Sequence, residues 1–274
     1  MNTRTVFFLS DQTGVTAETL GHSLLTQFDS KDFKQVTLPF IDSEDKAREA
    51  VQKINDSIDV DGPQPIVFST LVQDNFRAIV REASGLHLDI FDVFLEPLEQ
   101  ELQQKPTHES GRAHGMSNME AYMKRIEATN FALANDDGGI SRNYDMADII
   151  LVGVSRSGKT PTCLYLALQY GAYAANFPLT EEEFETGKLP QLLVRQKQKI
   201  FGLTIAPDRL QVIRKERRAL GKYSSMQQVT YELRESEKIF KRYGIPHIDT
   251  TAFSIEEIAS RILDSTGVER RVRP

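Results

Sequence analysis

The stretch that most constrains the fold is A-D-I-I-L-V-G-V-S-R-S-G-K-T-P-T, residues 147–162. Its apolar run at 149–152 reads as a buried strand, and residues 159–170 carry helical periodicity through Leu164, Ala167 and Leu168. Gly171 is the expected helix stop. Between strand and helix lies G-V-S-R-S-G-K-T, which matches the phosphate-cradling pattern G-x-x-x-x-G-K-[ST]. A strand that empties into a glycine loop with a helix directly behind it is the building block of a parallel sheet.

The chemistry of such a loop follows from its backbone. N–H groups of the loop and of the helix N-terminus converge on one spot and attract an anion. Gly153 and Gly158 permit angles and close approach that a Cβ would obstruct. Val154, Ser155, Arg156 and Ser157 form the interior of the loop, and Lys159 supplies a charge to the phosphate. Thr160 can bind a magnesium ion or a phosphate oxygen. Arg156 is either a second phosphate contact or a solvated arginine. Pro161 is tolerated because the first helical turn has no use for its missing N–H.

The rest of the chain repeats the alternation. Strands are expected at 5–10, 36–41, 65–70 and 88–95, with helices at 16–28, 44–55, 74–83 and 98–104. In the first helix Leu20, Leu24, Leu25 and Phe28 are expected on one face, with Thr16 as the N-cap. Residues 105–118, K-P-T-H-E-S-G-R-A-H-G-M-S-N, have no apolar period and read as a connection between domains. Beyond it, helices at 119–134, 159–170, 207–220, 227–243 and 254–264 alternate with strands near 147–153, 172–176, 199–205 and 246–250. An acidic loop is expected at 180–187. The fold class is α/β: a Rossmann-like parallel-sheet domain over 1–104, the linker, and a kinase-like α/β domain with the phosphate loop over 119–274.

Bulk properties narrow the function classes. The 274 residues are 40% hydrophobic and 26% charged, ordinary for a globular protein. A net charge of -6 argues against a dedicated nucleic-acid binder. The opening M-N-T-R-T-V-F-F-L-S-D lacks a signal-peptide pattern, and no apolar run nears the roughly 18 residues a membrane span needs. The expected location is the cytoplasm, which the single cysteine, Cys163, fits. A homodimer is the default for an enzyme of this size.

Other candidates sit on turns. Asp136 and Asp137 precede Gly138 and Gly139, and adjacent carboxylates can bind magnesium, accept a hydroxyl proton, or simply form a turn. Asp208 follows a strand, as a metal-linked carboxylate of phosphate-loop enzymes does, but behind Pro207 it also suits a helix start. S-D-Q-T-G-V-T-A-E-T-L-G, residues 10–21, is a second strand-to-helix turn of the kind that places ligands. Cys163 is expected in the core, His22 in packing or at the surface, and His108, His114 and His247 outside the site. The run R-K-E-R-R at 214–218 is read as a solvated face, with a contact to a partner or a phosphate as the alternative.

These stretches together resemble one family. G-V-S-R-S-G-K-T-P-T, N-D-D-G and S-D-Q-T-G-V-T-A-E, with K-R-I-E-A, A-A-N-F-P, F-G-L-T-I and I-E-E-I-A, are similar to the phosphoenolpyruvate synthase regulatory proteins of bacteria, relatives of the plant pyruvate, phosphate dikinase regulatory protein. The resemblance runs nearly the whole length. It implies a bifunctional enzyme that phosphorylates a target threonine with ADP as donor and removes that phosphate with inorganic phosphate, releasing pyrophosphate. It implies phosphoenolpyruvate synthase, or the related dikinase, as the protein substrate. It also implies that residues 153–160 bind ADP, that Lys159 and an aspartate of the pair act in catalysis, and that Thr160 serves magnesium if magnesium is used. The family's H-D-D-G stands here as N-D-D-G, so Asn135 replaces the usual histidine. The alternatives are an ATP-dependent small-molecule kinase and a non-catalytic nucleotide sensor.

Overall fold

The computed structural model describes residues 3–28, 33–58, 62–108, 119–136, 143–218 and 221–272. The chain divides into two compact units, Met1–Ser117 and Asn118–Pro274. The first contains β1 (Arg4–Leu9), α1 (Val15–Leu25), β2 (Phe33–Leu38), α2 (Glu44–Asp56), β3 (Ile66–Ser69), α3 (Asp74–Val80), β4 (Leu86–Asp89) and α4 (Ile90–Leu102). The second contains α5 (Met119–Ala134), β5 (Ile149–Gly153), α6 (Lys159–Tyr170), β6 (Ala174–Pro178), α7 (Glu181–Thr186), α8 (Gln191–Val194), β7 (Ile200–Thr204), α9 (Pro207–Arg217), α10 (Met226–Tyr243), β8 (His247–Asp249) and α11 (Ile255–Thr266).

Each unit holds a four-stranded sheet, ordered β2-β1-β3-β4 in one and β6-β5-β7-β8 in the other, with all the strand pairs parallel. The two orders are the same: the first strand of the unit is internal, the second lies on one side of it and the third on the other. The winding therefore reverses between β1 and β3, and again between β5 and β7. The carboxyl ends of those strand pairs are the switch points where open α/β sheets take ligands.

Alternating strand residues feed two core layers, as a sheet covered on both faces requires. In β5, Ile149 and Leu151 pack with α5, α6 and α11, while Ile150 and Val152 pack on the opposite face with α9 and α10. In β1, Phe7 and Leu9 join α2 and α3, while Val6 and Phe8 join α1.

Several boundaries differ from expectation, each for a local reason. Residues 88–95 are not a strand: β4 ends at Asp89, whose carboxylate accepts from the N–H groups of Phe91 (3.2 Å) and Asp92 (3.3 Å) and starts α4. Thr16 is not the N-cap of α1; Gly14 is, at φ 84°. The buried stripe of α1 is Ala17, Gly21 and Leu25, whereas Leu24 is 46% and Phe28 68% exposed. Small residues face inward because α1 lies close on the stacked rings of Phe8 and Phe68, 5.7 Å apart. The acidic stretch at 180–187 contains α7, nucleated where Thr180 N–H donates to Glu183 Oε2 at 2.8 Å.

A Cβ on Gly21 would stand 2.5 Å from Phe8 Cε1 and 2.9 Å from Phe68 Cδ2. Gly21→Ala should therefore lose about 1–3 kcal/mol of stability through overpacking, against the gain of ~1 kcal/mol that alanine normally brings to a helix. Urea unfolding reads this, and a variant more stable than the parent would contradict the packing described.

Candidate functional site

The 153–160 loop begins where β5, buried throughout, reaches the switch point. Gly153 is obligatory there. A Cβ would lie 2.4 Å from the Leu203 carbonyl of β7 and 2.9 Å from Ser157 Oγ. The loop turns through Arg156 (φ 75°) and Gly158 (φ 93°), and α6 starts at Lys159. Pro161 sits in the first turn of α6, where helical N–H groups have no intrahelical acceptor.

Lys159 is only 3% exposed, and its Nζ donates to the Val154 carbonyl at 2.9 Å. This bond folds the side chain back across the loop. Ser157 Oγ is buried without a hydrogen-bond partner among the described residues. A buried hydroxyl of this kind is an open position for an acceptor or donor brought by a ligand.

Two anchors hold the loop from beneath. Arg214 is fully buried and donates from Nε (3.3 Å) and Nη2 (3.1 Å) to the Ser155 carbonyl. The same guanidinium reaches the Tyr223 carbonyl at 3.1 Å and Glu232 Oε2 at 2.6 Å, and lies 4.5 Å over the Tyr223 ring. The Tyr223 hydroxyl in turn meets Ser155 Oγ at 3.0 Å. Thr250, just past β8, donates to the Ser157 carbonyl, 3.3 Å away, and lies 3.0 Å from the Thr204 carbonyl. The expectation of a solvated 214–218 run is thus corrected for its first member. Arg214 lies one turn beyond buried Leu210 on the inner face of α9, while Lys215, Arg217 and Arg218 are exposed.

Above the loop lies a cleft of about 600 Å³ lined by Asp136, Arg156, Lys159, Thr160 and Arg217, among others. Asp136 follows α5, and its Oδ1 accepts from Thr160 Oγ1 at 2.8 Å and from Asn176 Nδ2 at 2.5 Å. Asp136 and Thr160, 24 positions apart in sequence, therefore meet at the same cleft as Lys159. Asp137, Gly138 and Gly139 lie outside the described residues. Asn135, where the resemblance led us to expect a histidine, is buried and acts on backbone: its Nδ2 donates to the Phe131 carbonyl and its Oδ1 accepts from Asn143 N–H at 2.7 Å.

The remaining candidates fall elsewhere. Asp208 is exposed in the first turn of α9. Cys163 is buried, with Sγ 3.4 Å from the Ala175 carbonyl. His22 is exposed, and His247 packs its ring on Phe240. His108 is exposed with Nδ1 3.3 Å from the Val72 carbonyl, and His114 lies outside the described residues. The turn at 10–14 has the same span as 154–158 and also ends in a left-handed glycine N-cap, but Val15 stands where the second unit has Lys159. No group of three or more His, Cys, Asp or Glu able to hold a metal occurs among the described residues. Among them, no helix is long and apolar enough to cross a membrane.

The family model described as Kinase/pyrophosphorylase matches residues 6–263. Among curated relatives, a protein of Marinobacter nauticus is 53% identical over 267 residues, 97% of this chain and 98% of its own. One of Hahella chejuensis is 53% identical over 270 residues, 98% of this chain and 99% of its own. One of Pseudomonas aeruginosa has the same identity over 270 residues, 98% of each chain. All three bear the name "Putative phosphoenolpyruvate synthase regulatory protein".

Removing the Arg214 guanidinium would strand the Glu232 carboxylate, only 12% exposed, together with two carbonyls. Arg214→Ala should cost about 3–5 kcal/mol, as broken buried ion pairs do. A loss under ~1 kcal/mol in urea unfolding, typical of exposed pairs, would contradict the anchoring role.

Proposed function

The chain belongs to the kinase/pyrophosphorylase family, and on that premise we propose that it is a bifunctional regulator of phosphoenolpyruvate synthase. In one direction it transfers the β-phosphoryl group of ADP to a threonine of the target and inactivates it. In the other it uses inorganic phosphate to remove that group as pyrophosphate and restores activity. The observation that carries this reading is the convergence, at one cleft, of the 153–160 loop, Lys159 and the Asp136–Thr160 pair.

The chain's residues divide the labour as follows. Backbone N–H groups of 153–160 and the N-terminus of α6 bind the β-phosphate, and Lys159 balances its charge. The threonine Oγ–P bond forms, the bond from the β-phosphorus to the bridging oxygen breaks, and AMP leaves with that oxygen. The threonine proton passes to a carboxylate, assigned to Asp137, with Asp136 fixed beside Thr160. In the second reaction inorganic phosphate occupies the same cradle: its oxygen bonds to the phosphothreonine phosphorus, the Oγ–P bond breaks, pyrophosphate leaves, and the threonine oxygen takes a proton back from the carboxylate. Most of the catalysis is positioning and charge neutralisation.

The oxygens of Thr160 and Asp136, 2.8 Å apart, are hard donors of the kind magnesium takes, so the residues fit that ion in company with phosphate oxygens. Magnesium held there would supply neutralisation of phosphate charge. A cytoplasmic homodimer completes the proposal. Pyruvate, phosphate dikinase is the alternative target, because the two enzymes are related in mechanism.

Product analysis tests the reading. Incubation with ADP and phosphoenolpyruvate synthase should yield AMP in step with loss of target activity. Addition of phosphate to the phosphorylated target should yield pyrophosphate. ADP made from ATP on a small molecule would instead mark a metabolite kinase, and binding without turnover would mark a sensor.

A further inference from the structure

We propose that Asn176 is a positioning residue for phosphoryl transfer, holding Asp136 against Thr160; the proposal rests on the transfer reading above. Asn176 lies in the middle of β6, paired with Leu151 of β5, and is 1% exposed. Its neighbours Ala175 and Phe177 pack in one core layer and Ala174 in the other. By strand alternation the Asn176 side chain shares the Ala174 face, which packs on α5 and α6. That layer is apolar, with Ala128, Ala132 and Cys163 among its members. A buried amide is costly there unless its polar atoms are bonded.

Both bonds that its side chain donates lead to the site. Nδ2 donates to Asp136 Oδ1 at 2.5 Å and to Thr160 Oγ1 at 3.1 Å. The Asn176 backbone N–H donates to the Asn135 carbonyl at 3.0 Å. One residue thus grips the end of α5 through its backbone and the next carboxylate through its side chain. The amide orientation is fixed by chemistry. The reverse assignment would set Oδ1 against the Asp136 carboxylate, two acceptors with no proton between them. Oδ1 itself has no partner among the described residues. For core stability alone, an apolar residue of this size would serve better, since it would strand no acceptor. What leucine cannot do is hold Asp136 and Thr160 at one distance.

This separates a positioning role from a structural one. Asn176→Leu keeps the volume and removes the donor, so thermal stability and the KM for ADP should hold while kcat falls by roughly 10- to 100-fold, the scale of a small misplacement at a reacting centre. Asn176→Ser, too short to reach Asp136, gives the same split and serves where the leucine variant does not fold. Parental kcat in either folded variant overturns the proposal. If the parent protein itself moves no phosphoryl group from ADP, the functional reading fails on its own. The Asp136 contact is then read by urea unfolding of Asn176→Leu, Asp136→Asn and the double variant. Non-additive midpoints support the coupling, and additive ones overturn it.

Discussion

The 153–160 loop owes its shape to a close crossing of backbones and to two carbonyls held from below. β5 can reach the loop beside β7 only because Gly153 leaves the Leu203 carbonyl unobstructed. The Ser155 carbonyl is then fixed by a buried arginine and the Ser157 carbonyl by Thr250. Within the loop the Ser157 N–H is spent on the Val154 carbonyl at 3.3 Å, so internal and external bonds together fix its shape. That preorganisation makes an anion cradle effective, because the dipoles need no rearrangement when charge arrives.

The same strand order occurs twice in the chain, and each unit places a turn of equal span after its first strand. The difference between them is chemical rather than topological. In the second unit the helix opens with Lys159 and Thr160, and Asp136, two residues past the preceding helix, meets Thr160. In the first unit the corresponding helix opens with Val15, and Glu18 bonds instead to the Thr37 hydroxyl. One backbone frame thus carries a loop that opens into Lys159 in one unit and a turn without the lysine in the other. This is the general separation of fold from site.

Much of the architecture was legible in the sequence because it is locally encoded. The run 149–152, the glycine loop and the amphipathic helix ending at Gly171 each carry their own signal, and α6 begins and ends where that signal places it. Legibility failed where a distant contact or a cap outweighed local pattern. The apolar run at 88–95 looked like a strand, but Asp89 caps a helix at its second residue. Arg214 looked solvated because its neighbours are charged; its burial depends on Ser155, 59 positions away, and on Glu232. Asn176 gave no sign of importance, because β-strand pairing with Leu151 is what carries it to Asp136. For Asn135 the sequence showed an amide where the resemblance implied a histidine, while the backbone bonds that it makes were not visible.

The central claim is that the 153–160 loop delivers the β-phosphoryl group of ADP to a protein threonine. ADP labelled at the β-phosphate, mixed with phosphoenolpyruvate synthase in the absence of ATP, tests it most directly, with Lys159→Ala run in parallel. The account predicts label on a threonine of the target with the parent protein and none with the variant. Label transferred only from ATP, or transferred equally well by Lys159→Ala, would contradict it.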